Sequence, residues 1–248
     1  HRGRVGALGS GLADCCNARM FSPDVLPVLL LSLRVAALAT LLCLPLAIAF
    51  AWLLSRHRFP GRMLLDALVH APLVLPPVVV GYGLLMLFGR QGWAGDWLAR
   101  HFAIQLPFST GGAVLAAAVM ALPLMVRAIR LGLEAIDRGL ETAARTLGAG
   151  PVDAFLTVSL PLMLPGIVAG AVLAFAASLG EFGATMTFAA NIPDQTRTLT
   201  LAIYTALQTP GGEETARALV LISMGLAVAA LLLAEWAGRL TRRWLSPA

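Results

Sequence analysis

No lysine occurs in this chain, and all 18 basic residues are arginine. A phosphate-binding loop that closes on Lys-Ser or Lys-Thr, a Schiff-base lysine and a Ser–Lys pair are excluded, and with them ATP binding in the usual manner. Charge of either sign is scarce, at 12% of residues, while 58% are hydrophobic and mean hydropathy is +0.82. A soluble domain of 248 residues needs a far more polar surface, so this is the composition of an integral membrane protein. The cysteines are few: Cys15, Cys16 and Cys43. An adjacent pair plus one in an apolar run fits neither a zinc site nor a disulfide framework, and they read as inert thiols. No Ser/His/Asp set, metal-ligand cluster or paired catalytic carboxylate emerges, so no covalent chemistry, metal or cofactor is expected on this chain. The net charge of +5 comes from arginines beside apolar spans, which topology explains better than a nucleic-acid partner would.

What is abundant is long apolar sequence. A hydrocarbon core of about 30 Å needs about 20 apolar helical residues. Runs over 35–54, 67–88, 107–127, 159–180 and 218–236 meet that length, and five spans are expected in one transmembrane domain over 24–245. The fold class is an all-α integral membrane protein. Residues 1–23 lack a continuous apolar stretch and are expected to form an N-terminal tail rather than a cleavable signal. The segment 198–209 (TLTLAIYTALQT) is apolar but short, which suits an interfacial or re-entrant piece.

Five crossings put Arg56, Arg58, Arg62, Arg127, Arg130, Arg138, Arg145, Arg239, Arg242 and Arg243 on one side. Arg90, Arg100, Arg197 and Arg217 fall on the other, as do Arg2, Arg4 and Arg19 of the tail. The arginine-rich side is the cytoplasmic one by the positive-inside rule, so the N-terminus is expected outside and the C-terminus inside. Trp52 and Trp236 at span ends, Trp244 beyond the last span, and Trp93 and Trp97 in an outer loop occupy the interfacial levels that indoles prefer.

Two stretches are unusual. In APLVLPPVVVGYG, Pro72, Pro76 and Pro77 remove backbone donors from the second span, with Gly81 and Gly83 following. Interrupted backbone at membrane depth survives only inside protein or beside a water-filled cavity, so this helix either lines a pathway or packs as a static kink. The second stretch, LETAARTLGAGPVDAFLTVSLP, occupies the loop between the third and fourth spans (134–158). Its first part is expected to be helical over 134–147, with Gly148 as a left-handed cap and Pro151 preventing continuation. A helix restarts near Val152, and Ser159 is placed to cap the fourth span, with Pro161 in its first turn. Small Ala143 and Ala144 allow close approach of a partner surface. The alternative is a partnerless loop helix.

This segment resembles the EAA loop of ABC-importer permeases: Glu-Ala-Ala, then Gly, then an apolar residue-x-Leu-Pro. It falls here on Thr142-Ala143-Ala144, Gly148 and Val158-Ser159-Leu160-Pro161, with Glu141 one place before the usual glutamate position. The likeness extends over nearly the whole chain. HAPLVLPPVVVGYGLL, ALPLMVRAIRL, ETAARTLGAG, LGEFGATMTFAANIP and TLAIYTALQTPGGEE together resemble the molybdate permeases of binding-protein-dependent importers. Sulfate permeases share the Leu-Gly-Glu-aromatic-Gly and Asn-Ile-Pro elements. Phe182-Gly183-Ala184-Thr185 followed by Thr187-Phe188 favours the molybdate branch.

The resemblance implies a bacterial inner-membrane protein for molybdate or its congener tungstate, in which two copies of this chain form the pathway. It also implies two cytoplasmic ATPase subunits, which bind the ATP and magnesium, and an external molybdate-binding protein. The coupling residues it implies are Glu141, Thr142, Ala143, Ala144, Gly148, Leu160 and Pro161. Pathway or gate candidates are Pro76, Pro77, Gly81, Glu181, Gly183, Thr185, Thr187 and Asn191. A tetrahedral dianion calls for hydrogen-bond donors, which Thr185, Thr187 and Asn191 carry, and for the absence of unpaired carboxylate. Glu181 is therefore expected to be structural or part of a gate, pairing Arg197. His70 and Asp66 in the second span read as structural. A sulfate or thiosulfate permease is the alternative within the class. A gradient-driven transporter or channel is the alternative outside it, disfavoured because the central spans are nearly bare of charge.

Overall fold

Long apolar runs separated by short polar links fold here into helices alone. The computed structural model describes residues 25–57 and 59–245, and no strand occurs among them. The predicted tail, with Cys15, Cys16, Arg2, Arg4 and Arg19, lies outside the described residues, as does Arg58. In chain order the helices are α1 (Val25–Arg56), α2 (Arg62–Val74), α3 (Pro77–Phe88), α4 (Trp93–Phe102), α5 (Thr110–Glu134), α6 (Arg138–Thr146), α7 (Pro151–Leu162), α8 (Leu164–Leu179), α9 (Gly183–Phe188), α10 (Leu199–Gln208) and α11 (Glu213–Leu245).

The centre of the bundle is α5, flanked by α1 and α8. In a bilayer, water drives no helix association, so close packing depends on small residues that let backbones approach. Along α1, Ala36, Ala39, Cys43, Ala47 and Ala51 form a buried stripe, and α5 offers Ala113, Ala116, Ala117 and Ala121. The Cys43 thiol donates to the Ala118 carbonyl at 3.0 Å across that seam. On the other side α8 crosses α5 at Gly132 and Gly166, where a Cβ on Gly132 would stand 3.0 Å from the Gly166 Cα. Ser109 caps α5 by accepting from the Gly112 N–H at 3.1 Å.

Three helices are by themselves long and apolar enough to cross: α1, α5 and α11 over Glu213–Leu233. Two bent pairs raise this to five. The pair α2–α3 turns through 118° between Val74 and Pro77. Two successive pre-proline restrictions cause the break: Leu75 (ψ 143°) precedes Pro76, and Pro76 (ψ 134°) precedes Pro77, so neither stays helical. Pro72 is tolerated inside α2. The pair nonetheless traverses the whole height of α5. Asp66 in α2 binds Arg130 near the end of α5, while Leu84 and Phe188 pack with Ala116 near its beginning. The two contacts place the ends of the pair at different levels along α5, as in a broken span. The pair α7–α8 bends by 67°, and α8 runs antiparallel to α5, with Gly166 against Gly132 and Gly170 against Met125.

Several boundaries differ from the sequence reading. Helix α1 begins ten residues before the apolar run at 35–54 and carries Arg34 on an exposed face. Helix α5 continues to Glu134, and the expected helix 134–147 is divided by Ala135–Asp137, because Asp137 caps α6 through the Gly139 N–H at 2.8 Å. The link after Phe88 holds an unforeseen helix, α4, which ends on Ala103 in a left-handed conformation (φ 53°). The short apolar segment at 198–209 is α10. It lies against the beginnings of α1 and α11 through Val25, Leu199, Ala202 and Leu219. Ser32 pins it there: its Oγ accepts from the Leu199 N–H at 2.7 Å while donating to the Val28 carbonyl.

Candidate functional site: the elbow and the broken spans

Good helix formers and an aspartate cap build α6, and Gly148 ends it. The Ala149 N–H bonds to the Ala144 carbonyl and the Gly148 N–H to the Arg145 carbonyl, both at 3.1 Å, which is the Schellman arrangement. It requires the left-handed φ of +97° that Gly148 adopts. Pro151 then opens α7, so the two helices meet at a fixed corner. Apolar side chains crown this elbow in the open: Leu147 is 89% and Val152 67% exposed, with Leu140, Leu156 and Ala143 also exposed. An exposed apolar corner of this kind is a candidate docking surface.

Beneath the corner, Glu141 joins three elements. Its Oε1 lies 3.1 Å from Arg56 Nη2 at the end of α1 and accepts a short hydrogen bond from the Ser159 Oγ. Ser159 is fully buried in a π-helical turn, Phe155–Ser159, inside α7. A second tie lies alongside, where Trp52 of α1 meets Phe155 edge-on at 5.5 Å. The sequence reading placed Ser159 as the cap of the fourth span; instead it spends its hydroxyl on Glu141, and no side chain caps α8. Glu141 is thus itself an ion-pairing member of the loop, one place before Thr142. Arg56 passed as one more charge at a span end, because nothing in a linear pattern names its partner. Leu160 and Pro161 follow the π turn and carry α7 to its bend at Met163.

The other candidate region is where two breaks meet. The α8 helix stops at Leu179, and α9 begins at Gly183 beside Pro77, at the start of α3. A Cβ on Gly183 would stand 2.7 Å from the Pro77 Cβ, and one on Gly81 would stand 2.7 Å from the Ala184 carbonyl oxygen. Both glycines therefore exist for backbone contact between α3 and α9. Pro76, Pro77, Gly81 and Gly183 do come together, as parts of one joint.

The polar candidates take different places from those expected. Glu181 does not meet Arg197; its Oε1 accepts from the Ala184 N–H at 2.8 Å, holding the first turn of α9. Arg197 donates instead to the Asn191 Oδ1 at 3.0 Å, while Asn191 Nδ2 donates to the Thr205 Oγ1 at 2.7 Å. Thr187 returns its hydroxyl to the Gly183 carbonyl of its own helix, and Thr185 is buried. In this structure Thr187 and Asn191 hydrogen-bond within α9 and across the link to α10. Among the described residues no group of three or more His, Cys, Asp or Glu side chains could hold a metal ion.

At the opposite end from the elbow, an open cavity of about 1100 Å³ lies between α3, α4 and the entry to α5. Tyr82, Met86, Arg90, Gln91, Gln105 and Phe108 line it, with Asp96, which Arg100 neutralises at 2.6 Å.

With this geometry in view, comparison with known proteins is informative. The family described as "Binding-protein-dependent transport system inner membrane component" matches residues 43–243. The "Molybdenum transport system permease protein ModB" of Escherichia coli strain K12 is 60% identical over 213 residues, covering 86% of this chain and 93% of that protein. Its namesake in Haemophilus influenzae is 53% identical over 206 residues, covering 83% and 90%. The "Sulfate transport system permease protein CysT" of Escherichia coli strain K12 is 38% identical over 187 residues, covering 75% and 67%. Among solved structures, a bacterial alginate ABC transporter in complex with a pentasaccharide-bound periplasmic protein aligns with a TM-score of 0.69 at 16% identity, covering 90% of this chain and 80% of that one. An amino acid ABC transporter with histidines aligns at 0.60 and 19% identity, covering 90% and 95%. These structures share the fold.

Proposed function

This chain belongs to the inner membrane components of binding-protein-dependent transport systems, and we infer from that premise that it is the permease subunit of an ATP-driven molybdate importer. The observation that carries the ion is the gap between 60% identity to a molybdenum permease and 38% to a sulfate permease, over comparable lengths. It agrees with the Phe182-Gly183-Ala184-Thr185 and Thr187-Phe188 signature. The chain is a multi-pass inner membrane protein and a transport subunit.

The finer reading extends from there. Two copies of the chain form the pathway along their shared face. Two ATPase subunits bind ATP and magnesium in the cytoplasm and hydrolyse the nucleotide there, so this chain supplies neither catalysis nor a cofactor. They dock on the elbow at Ala143, Leu147, Gly148 and Val152, supported by the apolar exposure of that corner. An external molybdate-binding protein delivers the ion at the end bearing the large open cavity. This puts the elbow and C-terminus inside and the N-terminus outside, in keeping with the arginine distribution. The joint of Pro76, Pro77, Gly81 and Gly183, held by Glu181, Thr185, Thr187 and Asn191, is the bistable element: closing the ATPases moves α7 and α8, and the joint opens or seals.

The test is uptake in cells deleted for their own molybdenum permease and supplied with this chain and its partners. Molybdate uptake that tungstate competes with, and that excess sulfate leaves intact, is expected. Uptake of sulfate with indifference to molybdate moves the protein to the sister branch, and uptake without any ATPase removes it from the class.

A further inference from the structure

At the elbow end of the bundle, α2 and α5 part around a cavity of about 310 Å³ lined by Asp66, His70, Arg127, Arg130, Leu131 and Glu134. Charged side chains at a membrane helix end mark ion routes or headgroup contacts by default, and here the pairing pattern is uneven. Arg130 is committed twice. Its Nε donates to the Glu134 Oε1 at 2.8 Å, and its Nη1 donates to Asp66 Oδ1 and Oδ2 at 3.2 and 3.4 Å. Both carboxylates of the cavity are thereby engaged. The His70 Nδ1 faces the Asp66 carbonyl at 2.9 Å and the Asp66 Oδ1 at 3.2 Å, which leaves Nε2 as its uncommitted ring nitrogen. Arg127, one turn before Arg130 on the same face of α5, is exposed, with no ion pair among the described residues.

We propose that this cavity is an oxyanion site in which Arg127 is the available cation among the described residues, with Arg130 beside it as an additional donor. A guanidinium offers the paired N–H geometry that oxygen atoms of a tetrahedral anion accept. The two carboxylates, both held by Arg130, offset the two guanidinium charges of the cavity, so the site is weak by construction. Weak binding is what an exit requires, because an ion bound tightly there would not leave. The favoured occupant is the transported tetrahedral dianion on its way out, which rests on the importer reading above. The same chemistry would accept the phosphate of an anionic lipid at the inner surface, and the two sources are separable.

The permease, purified with its ATPase but without the external binding protein, is placed in phosphatidylcholine nanodiscs and dialysed against tungstate. Bound tungsten is counted by elemental mass spectrometry. Wild type and Leu41→Ala, a change on an exposed position of α1 outside the cavity, bind alike, whereas Arg127→Ala weakens binding by about tenfold or more and Arg127→Glu abolishes it. Arg127 is exposed and has no ion pair among the described residues, so both variants are expected to fold, and their elution volume and ATPase content report it. A second arm uses discs containing phosphatidylglycerol. If lipid phosphate is the occupant, tungstate binding is suppressed there, and wild type retains the lipid in native mass spectra while Arg127→Glu does not. Either Arg127-dependent result supports the site and names its source. Tungstate binding and lipid retention that are the same in wild type and Arg127→Glu overturn it. Molybdate uptake by wild-type proteoliposomes, run in parallel with the binding protein and ATP, judges the importer reading separately. Its failure would leave the Arg127 comparison standing.

Discussion

Arg56 and Glu141 face each other at 3.1 Å, one closing the first span and the other lying in the helix of the elbow. The Arg56 side chain is only 9% exposed and that of Glu141 22%. Among the described residues no other carboxylate pairs with this nearly sealed guanidinium, so the pair ties the elbow to α1. Removing one member leaves a buried charge uncompensated, at a cost of about 3 kcal/mol, the lower end for such pairs because Glu141 keeps some water. Arg56→Ala and Glu141→Ala are each expected to lower the thermal midpoint of the purified complex and to raise ATP consumed per molybdate transported. The reversed pair, Arg56→Glu with Glu141→Arg, recovers part of both. If the single variants assemble normally and transport with unchanged ATP cost, the pair does not position the elbow.

How much of this was legible beforehand depends on range along the chain. The helices, the glycine corner and the proline break were readable, since capping and pre-proline sterics act over a few residues: Gly148 at φ +97° and Leu75 at ψ 143° are local consequences of local sequence. The partners of Arg56, Arg130 and Asn191 were not, because each pairing is set by which helix faces it. Asp66 meets Arg130 across 64 positions, and Ser32 meets Leu199 across 167. The threonines illustrate the same limit from the other side. Thr187 has donor chemistry suited to an oxyanion, but α9 bends it back to Gly183, and only the fold reveals that.

Gly81 and Gly83 sit two residues apart in α3 and are expected to respond with opposite signs. A methyl on Gly81 meets the Ala184 carbonyl oxygen at 2.7 Å, whereas a methyl on Gly83 meets nothing within 4 Å. Gly81→Ala must push α3 from α9, costing about 1–3 kcal/mol and lowering molybdate uptake. Gly83→Ala gains about 0.5–1 kcal/mol from reduced backbone freedom of the unfolded chain. Thermal unfolding in detergent with parallel uptake assays measures both. A destabilised Gly83→Ala would mean that a second copy covers that face.

Ser32 holds α10 against α1 through a single buried acceptor, the Oγ that receives the Leu199 N–H at 2.7 Å. Ser32→Ala leaves that amide unpaired, a loss of about 1–3 kcal/mol. Thr40 provides the control, since its hydroxyl bonds only to the Ala36 carbonyl of its own helix. Hydrogen exchange at the amides of α10 is expected to quicken in Ser32→Ala and to stay at the wild-type rate in Thr40→Ala. Unchanged exchange in Ser32→Ala would mean that the apolar contacts of Val25, Leu199 and Leu219 hold α10 without it.

Gly148 separates backbone strain from steric obstruction. It stands at φ +97°, and a Cβ there meets nothing within 4 Å in this chain, so a methyl fits the space and the left-handed backbone is what resists it. That resistance is about 1–2 kcal/mol for most residues, less for Asn, and greatest for a β-branched side chain. The expected order of molybdate uptake at equal membrane levels is therefore Gly148, then Gly148→Asn, then Gly148→Ala, then Gly148→Val. Size alone predicts another order, with Ala ahead of Asn. Measuring uptake together with ATPase activity distinguishes the two, because a corner whose angle is lost still allows hydrolysis but transmits less of it. Uptake in Gly148→Val equal to that of the wild type would show that the left-handed turn is not what fixes the elbow.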